Sequence, residues 1–176
     1  VSKRNRTAPA VTPHADDAVL SVRDLSLAFP TDRRPLAEGA QVLDRVSLDV
    51  RKGETLGIVG ESGSGKSMTV LSALGLTPAP GVVTQGSVQF LGRDVTNLTE
   101  REWQKIRGKE IGVIFQEPIA VLNPALTIGA QLVEAIRQHQ TVSKDSARER
   151  AIELLSKVRV PDPQRRLDEY PHQMSG

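Results

Sequence analysis

The chain has 176 residues, enough for one domain with a proper core and too few for two comfortable ones. Hydrophobic residues at 38% and charged residues at 25% are ordinary for a soluble globular protein and exclude a disordered or fibrous class over most of the length. The formal net charge of +2 is spread over intermingled signs, which gives nucleic-acid binding little support, and the lack of cysteine excludes a disulfide framework, a thiolate metal site and a cysteine nucleophile.

Residues 1–17 carry Lys3, Arg4 and Arg6, then Pro9 and Pro13, with no periodic apolar pattern, and are expected to be a flexible, solvated tail. From residue 18 to 50 apolar side chains recur with period two: Leu20 and Val22, Leu25, Leu27 and Phe29, then Val46, Leu48 and Val50. This alternation predicts half-buried strands separated by a loop over residues 30–39. Residues 55–59 form a short apolar run between Gly53 and Gly60 and predict a strand covered on both faces. A helix follows from about Ser67, with Val70, Leu71 and Leu74 on its apolar side and Gly75 and Pro78 as its stop. Further strands are predicted at residues 87–90 and 111–115. Both this run and residues 55–59 are far shorter than the roughly 20 apolar residues needed to cross a bilayer. Beyond Asn123 and Pro124 the period changes: Ile128, Leu132 and Ile136 mark one helix, and Ala147, Ala151, Leu154, Leu155 and Val158 a second, with Ser143 as its N-cap.

Between the predicted strand at 55–59 and the helix after Ser67 lies Gly60-Glu61-Ser62-Gly63-Ser64-Gly65-Lys66-Ser67, which satisfies every fixed position of G-x-x-x-x-G-K-[ST]. A triphosphate needs many convergent donors to replace its water shell. Successive backbone N–H groups can converge only around a sharp bend, and Gly63 and Gly65 are free to take the positive φ that such a bend requires. The helix start adds its unpaired amides and the positive end of its dipole, Lys66 supplies a point charge for the β- and γ-phosphates, and the Ser67 hydroxyl can ligate Mg²⁺. A dinucleotide fingerprint starting at Gly63 fails because Met68 stands where its last glycine is needed, and a nucleophile elbow around Ser62 fails at Ser64.

With this loop, Ile114-Phe115-Gln116-Glu117-Pro118 and Tyr170-Pro171-His172-Gln173-Met174-Ser175-Gly176 occurring in that order, residues 18–176 resemble the ABC ATPase family. The second segment is similar to its Q-loop and the third to the approach to its signature motif. Phe115-Gln116-Glu117-Pro118 with Leu122-Asn123-Pro124, and Val160-Pro161-Asp162-Pro163 before Tyr170-Pro171-His172-Gln173, resemble most the subfamily driving dipeptide, oligopeptide and nickel uptake. Glu117, residues 119–121 and Met174 depart from that pattern, and none of them is a phosphate or metal ligand.

The resemblance implies an α/β P-loop NTPase core with an antiparallel β subdomain over about 18–116 and a Q-loop and helical subdomain over about 116–176, with the C-terminal part missing. It implies ATP and Mg²⁺ as cofactors. Gly60, Glu61, Ser62, Gly63, Ser64, Gly65, Lys66, Ser67 and Met68 are the expected nucleotide-binding set, and Lys66 and Gln116 the expected catalytic residues. Gln116, at the end of a strand, would join Ser67 in the metal shell. Phe29 corresponds to the aromatic that stacks on adenine, although it also continues the Leu25 and Leu27 alternation, which makes a core position the competing reading. Ser175 and Gly176 would belong to the signature loop, reaching the γ-phosphate held by the opposite subunit of a head-to-tail dimer.

The implied partners are membrane-spanning permease subunits, a second ABC ATPase subunit and, indirectly, an external solute-binding protein, at the cytoplasmic face of the membrane and without nucleic acid. Two rival readings are a non-transport ABC ATPase and a truncated, non-catalytic nucleotide-binding fragment. Because the Walker B aspartate, the glutamate base and the switch histidine would lie past Gly176, residues 1–176 alone are expected to bind Mg·ATP weakly without normal turnover.

Overall fold

The structure, a computed structural model, describes residues 17–30, 40–117 and 121–174. Residues 1–16 of the expected tail, most of the expected loop at 30–39, Pro118, Ile119, Ala120, Ser175 and Gly176 lie outside the described residues. The chain divides into two compact units, residues 1–98 and 99–176.

In the first unit β1 (Ala18–Phe29), β2 (Ala40–Arg51), β3 (Val82–Phe90) and β4 (Arg93–Asp94) form one antiparallel sheet in the order β2-β1-β3-β4. The alternation from Leu20 to Phe29 is one strand with an irregularity. Val22 and Leu25 are three residues apart and both fully buried, which a regular period of two forbids. The ladder shifts register between them on both sides, and Asp24 takes φ 46° to absorb the extra residue. Ser47 Oγ accepts the Asp24 amide at 2.9 Å, and Ser26 Oγ accepts the Arg45 amide at 3.0 Å, so the disturbed backbone keeps its partners. On the other side Gly86, at φ 98°, faces the same irregularity; a β-carbon there would stand 2.5 Å from the Arg23 carbonyl oxygen, so only glycine lets the strands pair.

β1 is central, and Leu25 and Leu27 are fully buried there with Leu43 of β2 and Val88 and Phe90 of β3 close to it in exposure. The helix α1 (Lys66–Ala73) packs on β1 and β2. Its buried residues are Thr69, Ser72 and Ala73, with Leu74 following, whereas Val70 of the predicted apolar side is 43% exposed. Small side chains let the helix approach the sheet, and both buried hydroxyls are satisfied: Thr69 Oγ1 donates to the Gly65 carbonyl at 3.0 Å and Thr77 Oγ1 donates to Ser72 Oγ at 3.2 Å.

The two apolar runs predicted as strands, residues 55–59 covered on both faces and residues 111–115, are not strands. Residues 54–61 have no regular secondary structure, and Leu56, Ile58 and Val59 are exposed. Residues 112–115 likewise have none, Ile111 makes only an isolated bridge with Arg107, and Ile114 is 93% exposed. A strand is defined by its ladder, and neither run finds one among the described residues.

In the second unit α2 (Glu100–Ile106) buries Trp103 and Ile106. The helices α3 (Ile128–His139) and α4 (Lys144–Lys157) pack on each other and on α5 (Pro163–Leu167), and a short 3₁₀ turn, Pro171–Gln173, follows. Ser143 caps α4 as predicted, its Oγ accepting the Ser146 amide at 3.1 Å, and Thr127 caps α3 the same way at 3.2 Å. Ala147 and Ala151 are fully buried, but the expected stripe stops there: Leu154 is 37% and Val158 70% exposed. Leu167, fully buried, anchors α5; its carbonyl oxygen lies 2.7 Å from where a β-carbon of Gly129 would stand, so glycine sets the distance between α3 and α5. Among the described residues no helix is long and apolar enough to cross a membrane.

Candidate functional site

The site is built on the joint between β2 and α1. After β2 the chain turns at Gly53 (φ 76°), with the Glu54 amide donating to the Arg51 carbonyl at 3.0 Å. It then runs through residues 54–61 and bends at Gly63 (φ 80°) and Gly65 (φ 89°), the two glycines whose freedom the motif requires. The Ser64 amide donates to the Glu61 carbonyl at 3.3 Å and closes the bend. Gly65 is the N-cap of α1 and its carbonyl accepts the Thr69 amide at 2.8 Å, so the helix begins directly at Lys66 and Ser67.

Three features of this joint suit a bound polyanion. No side chain caps α1 and its first turn holds no acidic residue, so the amide end of the helix keeps its positive field. Ser62, Gly63, Ser64 and Ser67 are exposed, and Met68 is half-buried. The Lys66 ammonium reaches back over the bend, where Nζ donates to the carbonyls of Gly60 at 2.8 Å and Glu61 at 2.6 Å, with Ser64 Oγ at 3.4 Å. The donor set therefore fits a magnesium-bound triphosphate: backbone amides and an ammonium for phosphate oxygens, and a free-standing hydroxyl at Ser67 for a hard cation.

The loop rests on β2. A β-carbon on Gly65 would stand 2.8 Å from Leu43 Cδ2 and 3.3 Å from the Val42 carbonyl oxygen, so Leu43, 3% exposed, is the floor beneath the helix start. Leu43 pairs with Leu27, and three positions further along β2 Ala40 pairs with Phe29. The ladder shifts register between Leu27 and Ala28, so Phe29, two residues beyond Leu27 on β1, lies about 7 Å along the sheet from the pair beneath the loop. Phe29 is half-buried, with its ring against Gly81, which corrects neither the stacking nor the core reading by itself.

Gln116 is exposed and lies at a bend, not at the end of a strand, because the run before it has no ladder; it belongs to the second unit. Ser175 and Gly176 lie outside the described residues. Sequence reasoning missed Leu43 and Gly81, whose contacts with Gly65 and Phe29 join residues distant in the chain and leave no local signal. Among the described residues no cluster of acidic side chains and histidines could hold a metal alone, so a cation here would depend on Ser67 and the ligand's own oxygens. A cavity of about 730 Å³ in the second unit lies between α3 and the start of α4, lined by Arg137, Lys144, Asp145 and Arg148 among others.

The model of the ABC transporter family matches residues 43–176. The chain belongs to the ABC transporter family. Among the relatives of this ABC chain is the dipeptide transport ATP-binding protein DppD of Escherichia coli (strain K12), 45% identical over 159 residues, which cover 90% of this chain and 47% of that protein. The oligopeptide transport ATP-binding protein OppD of Bacillus subtilis (strain 168) is 43% identical over 159 residues, 90% of this chain and 43% of that one. The chain spans about half the length of the curated relatives it matches. Its fold matches the dimeric structure of a post-hydrolysis state of the ATP-binding cassette MJ0796 bound to ADP and Pi, with a TM-score of 0.72 and 26% identity over 89% of this chain and 63% of that one. The ABC match begins at Leu43, the floor of the loop, so Phe29 lies ahead of it.

Proposed function

We propose that the chain carries the nucleotide-binding part of an ATP-hydrolysing subunit that drives import of peptides or similar small solutes. The observation that carries this reading is the bend at Gly63 and Gly65, which leaves the amide end of α1 uncapped under the Lys66 ammonium in a chain of the ABC family. The transport of dipeptides and oligopeptides named for its relatives supports the choice of solute.

Gly60, Glu61, Ser62, Gly63, Ser64, Gly65 and Met68 hold the phosphates through their backbone, and Lys66 places its charge where negative charge grows as the γ-phosphoryl group leaves. Ser67 and Gln116 are the proposed Mg²⁺ ligands. Bound there, Mg²⁺ supplies neutralisation of the β- and γ-oxygens. Phe29 stacks on the adenine ring, and Ser175 and Gly176 reach the nucleotide of an opposing subunit. The proposed partners are that second ATPase subunit, membrane-spanning permease subunits and an external solute-binding protein, with this subunit peripheral at the cytoplasmic face.

The test uses the full-length protein. Calorimetry should show Mg·ATP binding, weakened roughly 10- to 100-fold by Lys66→Ala, the loss expected for charge-assisted hydrogen bonds. Cells carrying the variant should lose uptake of a labelled peptide while the permease remains in the membrane. Unchanged binding would remove the nucleotide reading, and intact uptake would remove the transport reading.

A further inference from the structure

The geometry assigns Gly81 as the positioning residue for the ring of Phe29, and so as a determinant of how well the site holds the base of its nucleotide relative to the phosphates. The inference rests on the reading above that Phe29 stacks on adenine.

Phe29 ends β1, and Gly81 directly precedes β3, the other neighbour of that strand. Gly81 is held in place by its amide, which donates to the Pro78 carbonyl at 2.9 Å. A β-carbon on Gly81 would lie 2.7 Å from Phe29 Cζ and 2.9 Å from Cε1, with Thr77 Cγ2 at 2.9 Å on the same point. These distances are well inside van der Waals contact, so the tip of the Phe29 ring fills the space a side chain at Gly81 would take. Gly81 does not have a positive φ. Alanine is therefore acceptable to the backbone, and a methyl there changes space alone. The backbone of Gly81 is tied to Pro78, whereas Phe29 is a half-buried side chain at a strand end; the ring, the nearest group, must move, and the Thr77 methyl must give with it.

An aromatic ring stacks on a base only through a narrow range of offset and tilt. A support pressed against the ring tip fixes both before the nucleotide arrives, and a ring displaced by a methyl loses that alignment while the phosphate loop, held by Leu43 and its own bend, is untouched. The expected signature is a loss confined to the base.

The test compares Mg·ATP with Mg·tripolyphosphate, which has the phosphates and no base, by calorimetry on the full-length protein. Gly81→Ala should weaken ATP roughly 3- to 10-fold, the size of one aromatic contact, and leave tripolyphosphate within about twofold. Phe29→Ala should do the same, and in the Phe29→Ala background Gly81→Ala should add nothing, because the two residues act as one unit. If Phe29→Ala changes the two ligands alike, the stacking reading itself fails. If Phe29→Ala is selective and Gly81→Ala is silent, or weakens both ligands equally, the positioning role is overturned and stacking stands. Should Gly81→Ala fold poorly, Phe29→Leu with Gly81→Ala makes room for the methyl; that pair should fold and still bind ATP no better than Phe29→Leu alone, and any restored preference for ATP over tripolyphosphate would overturn the proposal.

Discussion

In β1 and β2 the residues Leu25, Leu27 and Leu43 are at most 3% exposed, while in the run just before the phosphate loop Leu56, Ile58 and Val59 are 41, 39 and 92% exposed. All six are large aliphatic residues, and the β-branched Ile58 and Val59 have the stronger β preference. What differs is the ladder: β1 has β2 on one side and β3 on the other, and residues 54–61 have neither among the described residues. For an extended run, apolar side chains thus become core where a paired backbone holds them in a sheet, and a β-prone sequence states a need for a partner without supplying one.

The largest expected effect tests that contrast directly. Leu27→Ala should cost about 2–5 kcal/mol in urea denaturation of the 176-residue chain, because it leaves a cavity in a closed core. Val59→Ser in the same chain should stay within about 0.5 kcal/mol, and equal losses would break the comparison.

A smaller effect sharpens it from the second unit, where some signals are complete in themselves. Glu102 Oε2 accepts both the Thr99 amide and the Thr99 hydroxyl at 2.7 Å, fixing the start of α2 with no distant residue. Thr99→Ala should cost about 1 kcal/mol by thermal denaturation. The bonds from Thr99 hold the Glu102 carboxyl below its usual range, so its contribution is present above the ordinary glutamate pKa and fades as pH falls through the lowered one.

The smallest effect lies on the sheet. Arg23 Nη2 donates to Asp49 Oδ2 at 2.8 Å and ties β1 to β2. This hydrogen bond holds the Asp49 carboxyl below its usual range; the stabilisation is therefore complete above the ordinary aspartate pKa and is lost as pH falls through the depressed value. Both side chains are partly in water, so Asp49→Asn should cost under about 1 kcal/mol at pH 7 and the gap from the parent should close on acidification, as chemical denaturation at pH 7 and pH 3 would show.

The same division explains how much could be read beforehand. Local signals were legible: the Ser143 cap, the helical periods of α3 and α4, the strand alternation of β1 and β2, the last residues of β3, and the two glycines that bend the loop. The capping box at Thr99 and Glu102 was equally local and was missed, along with α2 itself. Features that depend on distant residues were not legible. Val70 faces outward because small side chains at Thr69, Ser72 and Ala73 suit the approach to the sheet, and Gln116 sits at a bend because the run before it is unpaired. Of the candidate site, the bends at Gly63 and Gly65 and a helix start close to Ser67 were readable, while the floor at Leu43 and the support at Gly81 follow only from how β2 and β3 flank β1.

The bonds from Lys66 to the carbonyls of Gly60 and Glu61 carry a thermodynamic consequence. An incoming anion must win this ammonium from acceptors it already satisfies, so association is a swap of partners, and its measured heat is the difference between two sets of contacts. On the proposed reading, removing the lysine withdraws a ligand contact and also takes a donor from the Gly60 carbonyl, while the Glu61 carbonyl keeps the Ser64 amide; a charge-neutral replacement long enough to shield the Gly60 oxygen should do less harm than alanine.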